Sequence, residues 1–202
     1  MYNLTIKCYQ TCKTNSKVWT ELFEGFPHFA TKNSETGTLQ WLGDGYYFWT
    51  DSKTNAKWWG ENRLKAPYCI TSYSVNVSSE KLLDLSGNAE QIEYFLELRD
   101  TFLKIYRNYS KSKKYVVPTV DIMIDFFREH HRDTFFKFEA IKMHHNIYDK
   151  TYKPIKISQK SQEFFQGLPR IQLCVFLEKE DDIKDKSPSY PDAYCDSISN
   201  LL

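Results

Sequence analysis

The stretch Trp41-Leu42-Gly43-Asp44-Gly45-Tyr46-Tyr47-Phe48-Trp49 constrains the fold more than any other part of the chain. Two glycines two apart lead into four consecutive aromatics. Thr50-Asp51-Ser52 follows, and then a segment containing Ala56, Trp58 and Trp59. Flat side chains pack well on a pleated surface, so 46–49 predicts a strand. A glycine pair at its entrance predicts a sharp bend or a close approach by another part of the chain. Thr50, Asp51 and Ser52 offer N-caps for a short helix through Ala56, Trp58 and Trp59. The unit reads bend, strand, capped helix, and it brings Tyr47 near the Trp58/Trp59 pair.

Gly43-x-Gly45-x-Tyr47-Phe48, with Ala56 and Trp58 downstream, resembles the ADP-ribosyltransferase fold in its poly(ADP-ribose) polymerase-like branch. The resemblance implies that Tyr47 and Trp58 sandwich the nicotinamide ring of NAD. A flat, electron-poor ring binds well between electron-rich faces. In that family the first strand ends in His-Gly-Ser or His-Gly-Thr, which holds the nicotinamide amide and a ribose. The matching place here is Tyr9-Gln10-Thr11. Thr11 fits the pattern, whereas Gln10 puts a side chain where the family presents bare backbone, and Tyr9 and Gln10 offer polar atoms of their own. Asn55 falls where the family has a serine that bonds the carboxamide, and an amide supplies both a donor and an acceptor.

On a late strand, Arg170-Ile171-Gln172-Leu173-Cys174-Val175, the resemblance puts Gln172 at the place of the catalytic glutamate. A carboxylate there stabilises the positive charge that develops at the anomeric carbon as nicotinamide leaves. Gln172 hydrogen-bonds a ribose hydroxyl but supplies no charge. Glu139 and Glu178 are the candidate replacements, each weighed against an ordinary solvent-facing role.

The resemblance therefore implies an α+β fold with a split two-sheet core, a cleft between the sheets and NAD as substrate. The reaction it implies is transfer of ADP-ribose to a macromolecular acceptor, protein or nucleic acid, or to water. With the histidine, glycine and glutamate all replaced, the alternative is an inactive module of the same fold that binds a nucleotide, nucleic acid or protein. A third reading makes the aromatic motif simply core.

Composition narrows the remaining classes. Lys+Arg 27 against Asp+Glu 26 gives a formal net charge of +1, so bulk charge argues for neither nucleic acid nor membrane. With 14 Tyr, 14 Phe and 5 Trp, the chain favours aromatic pockets over a plain helical bundle. The cysteines, Cys8, Cys12, Cys69, Cys174 and Cys195, are odd in number and show neither disulfide nor zinc spacing. The first residues carry no charged-then-apolar leader and no apolar run is long enough for a bilayer, so a cytoplasmic protein is expected. No metal site is expected, because the pairs His130-His131 and His144-His145 point their side chains in different directions. Lys111-Ser112-Lys113-Lys114 reads as a solvated loop. Neither a phosphate-binding P-loop nor a Rossmann fingerprint is present.

Along the chain, 2–9 predicts a strand with Leu4, Ile6 and Cys8 on one face. A short helix is expected within 16–26, capped by Asn15 or Ser16, and strands are expected at 68–77, 82–85, 135–143 and 171–176. Helices at 89–106 and 120–131 make a helical segment at about 88–131. The organisation expected is one domain over 1–183 and a Ser-, Asp- and Pro-rich tail over 184–202, extended or mobile.

Overall fold

A computed structural model describes residues 2–14, 18–33, 35, 40–109, 119–145, 155–156, 164–165 and 169–200. In chain order its strands and α-helices are β1 (Asn3–Lys13), α1 (Trp19–Glu24), β2 (Phe29–Ala30), β3 (Gly45–Thr50), α2 (Lys53–Trp59), β4 (Tyr68–Ser78), β5 (Leu82–Leu85), α3 (Ala89–Tyr109), α4 (Val120–His130), β6 (Ala140–His144), β7 (Ile155–Lys156), β8 (Phe164–Phe165), β9 (Ile171–Val175), β10 (Ile183–Tyr190) and α5 (Asp192–Ser199). A π-helical turn, Gly60–Leu64, continues α2, and a 3-10 segment, Leu177–Asp182, joins β9 to β10.

The strands run in the order β10-β4-β1-β3-β9-β6-β5, with β2 added to β3, while β7 and β8 form a separate ribbon. Only β5 and β6 are parallel among these pairings, so the fold is α+β with a largely antiparallel sheet. In place of two packed sheets, the main strands share one sheet with a seam in it. β1 pairs with β4 along its whole length, from Asn3↔Ser78 to Lys13↔Tyr68. It meets β3 only at Cys8↔Thr50 and Tyr9↔Trp49. Beyond Tyr9 the two strands part.

Side chains alternate across the sheet with a period of two, and each face has its own cover. On one side Ile6, Cys8, Phe48, Val75, Leu173 and Val175 pack against Leu22 and Phe26 and against Tyr194 and Ile198 of α5. On the other, Leu83, Ile141 and Cys174 meet Leu98 and Phe102 of α3 and Met123, Ile124 and Phe127 of α4. A smaller cluster of Tyr9, Trp49, Ala56 and Ile70 lies under α2.

Several expected elements change in extent. Helix α1 begins at Trp19, and the cap candidates Asn15 and Ser16 lie outside the described residues, as does the Lys111–Lys114 run. The alternation at 135–143 is a strand only from Ala140. Before it, the amides of Thr134, Phe135 and Phe136 all donate to the carbonyl of His131 in a tight turn. Phe136 is fully buried against α4 from that turn, so its apolar position reflects plugging of the core rather than a pleat. The segment after Ile183, expected as an extended or mobile tail, is an ordered edge strand followed by a helix. Tyr194 and Ile198, four apart on α5, are both buried, and the Tyr194 hydroxyl pairs with Thr71 Oγ1 at 2.9 Å. Lys186 Nζ donates to the carbonyls of Phe23 and Phe26, at 2.9 and 3.0 Å, closing the end of α1. Among the described residues no helix is long and apolar enough to cross a membrane, and no group of three His, Cys, Asp or Glu could hold a metal ion. All five cysteines are free thiols.

Candidate functional site

The two glycines of the organising stretch do different work. Gly43 has φ +84°, a left-handed conformation that turns the chain into β3. At Gly45 a Cβ would lie 2.5 Å from Cys174 Sγ and 2.7 Å from the Val175 carbonyl oxygen, so β9 approaches too closely for any side chain. The bend is then fixed by Tyr47. Its hydroxyl accepts the Leu42 N–H and donates to the Gly43 carbonyl, both at 2.8 Å. Burial pushes this phenol well above its usual pKa and keeps it neutral, as a group that both donates and accepts must be.

Where β1 and β3 part, a cleft of about 320 Å³ opens at the seam. Gln10, Thr11 and Cys12 line it from β1, Tyr47, Phe48 and Trp49 from β3, Trp59 from α2 and Gln172 from β9. His28, Phe29, Ala30, Gln40 and Trp41 complete the wall. Gln10 bridges the opening that backbone pairing leaves. Its Nε2 donates to the carbonyls of His28 and Tyr47, at 3.0 and 3.3 Å, and its Oε1 accepts the His28 N–H at 2.6 Å. Trp41 Nε1 donates to Gln172 Oε1 at 2.9 Å. An indole nitrogen can only donate, so the oxygen of the Gln172 carboxamide must face Trp41.

Beside the cleft, four indoles surround one imidazole. The ring of His145 lies 5.5 Å from Trp49, 5.7 Å from Trp41, 6.1 Å from Trp59 and 6.5 Å from Trp58, centre to centre. Its Nδ1 is buried with no hydrogen-bond partner among the described residues. Burial first, then the charges of Arg63 and Arg170, lower its pKa. The guanidinium of Arg170 sits 3.7 Å above the Trp58 ring, and that of Arg63 5.7 Å from it.

The chain matches no family model, no curated protein and no solved structure. Its site is therefore described by its own residues. Gln10, Thr11, Tyr47 and Gln172, drawn from three strands, share the cleft. Three other expected contacts are not among its lining residues. Tyr9 is buried beneath α2 with Trp49, Ala56 and Ile70. Asn55 is also buried, and its Nδ2 donates to the Pro169 carbonyl at 3.1 Å, tying α2 to the approach to β9. Trp58 carries Arg170 on its face, and its neighbour Trp59 lines the cleft. Thr11 Oγ1 donates to the Ala56 carbonyl at 2.9 Å, so it also anchors the helix.

Glu139 and Glu178 lie away from the cleft. Glu139 pairs with Lys81 at 3.5 Å and Lys179 at 3.2 Å, and Glu178 with Arg132 and Arg128. Met143 is the β6 neighbour of Gln172, and Glu139 is four residues, on the order of 13 Å, further along the sheet. No carboxylate lines the cleft among the described residues. Trp41, His28, Gln40 and His145 were not singled out by sequence as cleft or cage residues. Trp41 had one signal, its position beside a glycine bend. His145 had none, because its partners come from three other parts of the chain.

Proposed function

We propose that this chain is a module of ADP-ribosyltransferase type whose seam cleft binds NAD through its nicotinamide end. The observation that carries the reading is the convergence of Gln10, Thr11, Tyr47 and Gln172 on one aromatic-walled cleft, from strands far apart in sequence. Trp59 and Trp41 supply further ring faces there, in keeping with a planar ligand.

Transfer of ADP-ribose to a protein, a nucleic acid or water is the second role in this reading. Cleavage of the nicotinamide–ribose bond builds positive charge at the anomeric carbon, and a carboxylate is the group that stabilises it. Gln172 supplies only an amide, and the ion pairs of Glu139 and Glu178 keep them elsewhere. Binding without rapid turnover is the reading this arrangement favours.

The test is a titration of the purified protein with NAD, following tryptophan emission, together with an assay of nicotinamide release. Saturable quenching by NAD and little or no release are expected, with Gln172→Glu raising release if the cleft is otherwise competent. Absence of NAD binding at millimolar concentration would overturn the reading, and brisk release by the wild type would move it to the active transferase.

A further inference from the structure

The polarity the cleft presents at Gln172 is set by one hydrogen bond. Gln172 is 6% exposed and lines the cleft, and its Oε1 is taken by Trp41 Nε1–H. Trp41 in turn belongs to the bend that the Tyr47 hydroxyl clamps through Leu42 and Gly43, so the donor is held in place. The amide group left to Gln172 is Nε2, which only donates. A carboxylate at the same position would present an acceptor. Gln172 thus inverts the hydrogen-bonding sense of the site.

Two neighbouring polar groups offer no further donor beside it. The carboxamide of Gln10 is spent on the backbone of His28 and Tyr47, and the Thr11 hydroxyl proton on Ala56. No carboxylate lines the cleft among the described residues. A ligand that brought a donor to Gln172 would set it against Nε2–H, with no carboxylate among the described lining residues to compensate.

Resting on the reading that the cleft takes a planar ring, we infer that it selects rings carrying a hydrogen-bond acceptor, a carbonyl or better a carboxylate, for Gln172 Nε2, and rejects rings carrying an ammonium there. Trp41 is the positioning residue for this choice, since its indole N–H fixes which end of the carboxamide faces the ligand.

The experiment uses the full chain and three pyridines substituted at the same ring position: nicotinate, nicotinamide and 3-(aminomethyl)pyridine. Dissociation constants are read by ligand-observed NMR at neutral pH. The expected order is nicotinate tightest and the ammonium compound weakest, with at least about tenfold between them, as a charge-assisted bond gained on one side and lost on the other implies. In Gln172→Glu the order reverses. In Trp41→Phe, which keeps a ring but releases Oε1, the spread narrows severalfold because the carboxamide is free to turn over. An ammonium compound that binds wild type as tightly as nicotinate, an order unchanged in Gln172→Glu, or no binding by any of the three overturns the inference. Loss of the NAD reading is distinguishable: NAD would then fail to bind while the three pyridines keep their order.

Discussion

At the scale of single residues, Gln10, Thr11 and Tyr47 have their donor hydrogens committed to backbone carbonyls. Tyr47, which the resemblance offers as a ring to stack on a ligand, is the clamp on the bend that carries Trp41. His145 differs, with a buried ring nitrogen that has no partner among the described residues. Its pKa is lowered in the folded state, so the folded chain holds fewer protons than the unfolded chain between that lowered value and the ordinary one, about 6.5. Stability then rises with pH across this window, is fully present above the ordinary value and is lost as pH falls through it. Urea midpoints should therefore drop from pH 7 to pH 5, and His145→Phe, which keeps an aromatic ring in the cage, should flatten that drop. Identical pH profiles for the two proteins would show that His145 is not the titrating group.

At the scale of elements, the decisive unit is α2. Sequence reading took Trp58 as the stacking residue from an offset carried over by resemblance. The helical period argues otherwise: Ala56 and Trp59, three apart, share a face, and Ala56 is fully buried. Trp58 is turned by about 100° from its neighbour and meets Arg170 instead. The identity of the helix and the strand before it was legible, because glycines, aromatics and a cap candidate all agreed. Which tryptophan lines the cleft was not legible, because it depends on how α2 sits over the sheet. On the proposed reading, Trp59→Ala is expected to weaken NAD binding about tenfold and Trp58→Ala by much less, measured by calorimetry. The reverse ranking would restore Trp58 to the site.

At the scale of the whole molecule, the strands at 68–77 and 82–85 and the two long helices followed from local pattern alone. The seam did not, since it depends on where β1 stops pairing with β3, a choice between strands distant in sequence. The ordering of the last segment was missed for another reason. Its Ser, Asp and Pro content hides Tyr194 and Ile198, which bury a helical face that is short but complete. Tyr194 joins three parts of the fold, packing on Trp19 at 5.3 Å between ring centres and on Phe23 at 6.3 Å while bonding Thr71 of β4. Tyr194→Ala should therefore cost roughly 3–5 kcal/mol of global stability, read from urea unfolding. A loss below about 1 kcal/mol would mean that α5 is only loosely attached.

The placement of β3 has a consequence for how the chain is made. Its four aromatics pair on one edge with β9, whose residues follow both long helices in sequence. A growing chain emerging from the ribosome thus carries the strand 46–49 long before its partner exists. Uncharged, aromatic and proline-free, that stretch is the kind of segment that pairs with copies of itself when left open. That edge therefore stays unguarded until residues 171–175 have been made, after both long helices.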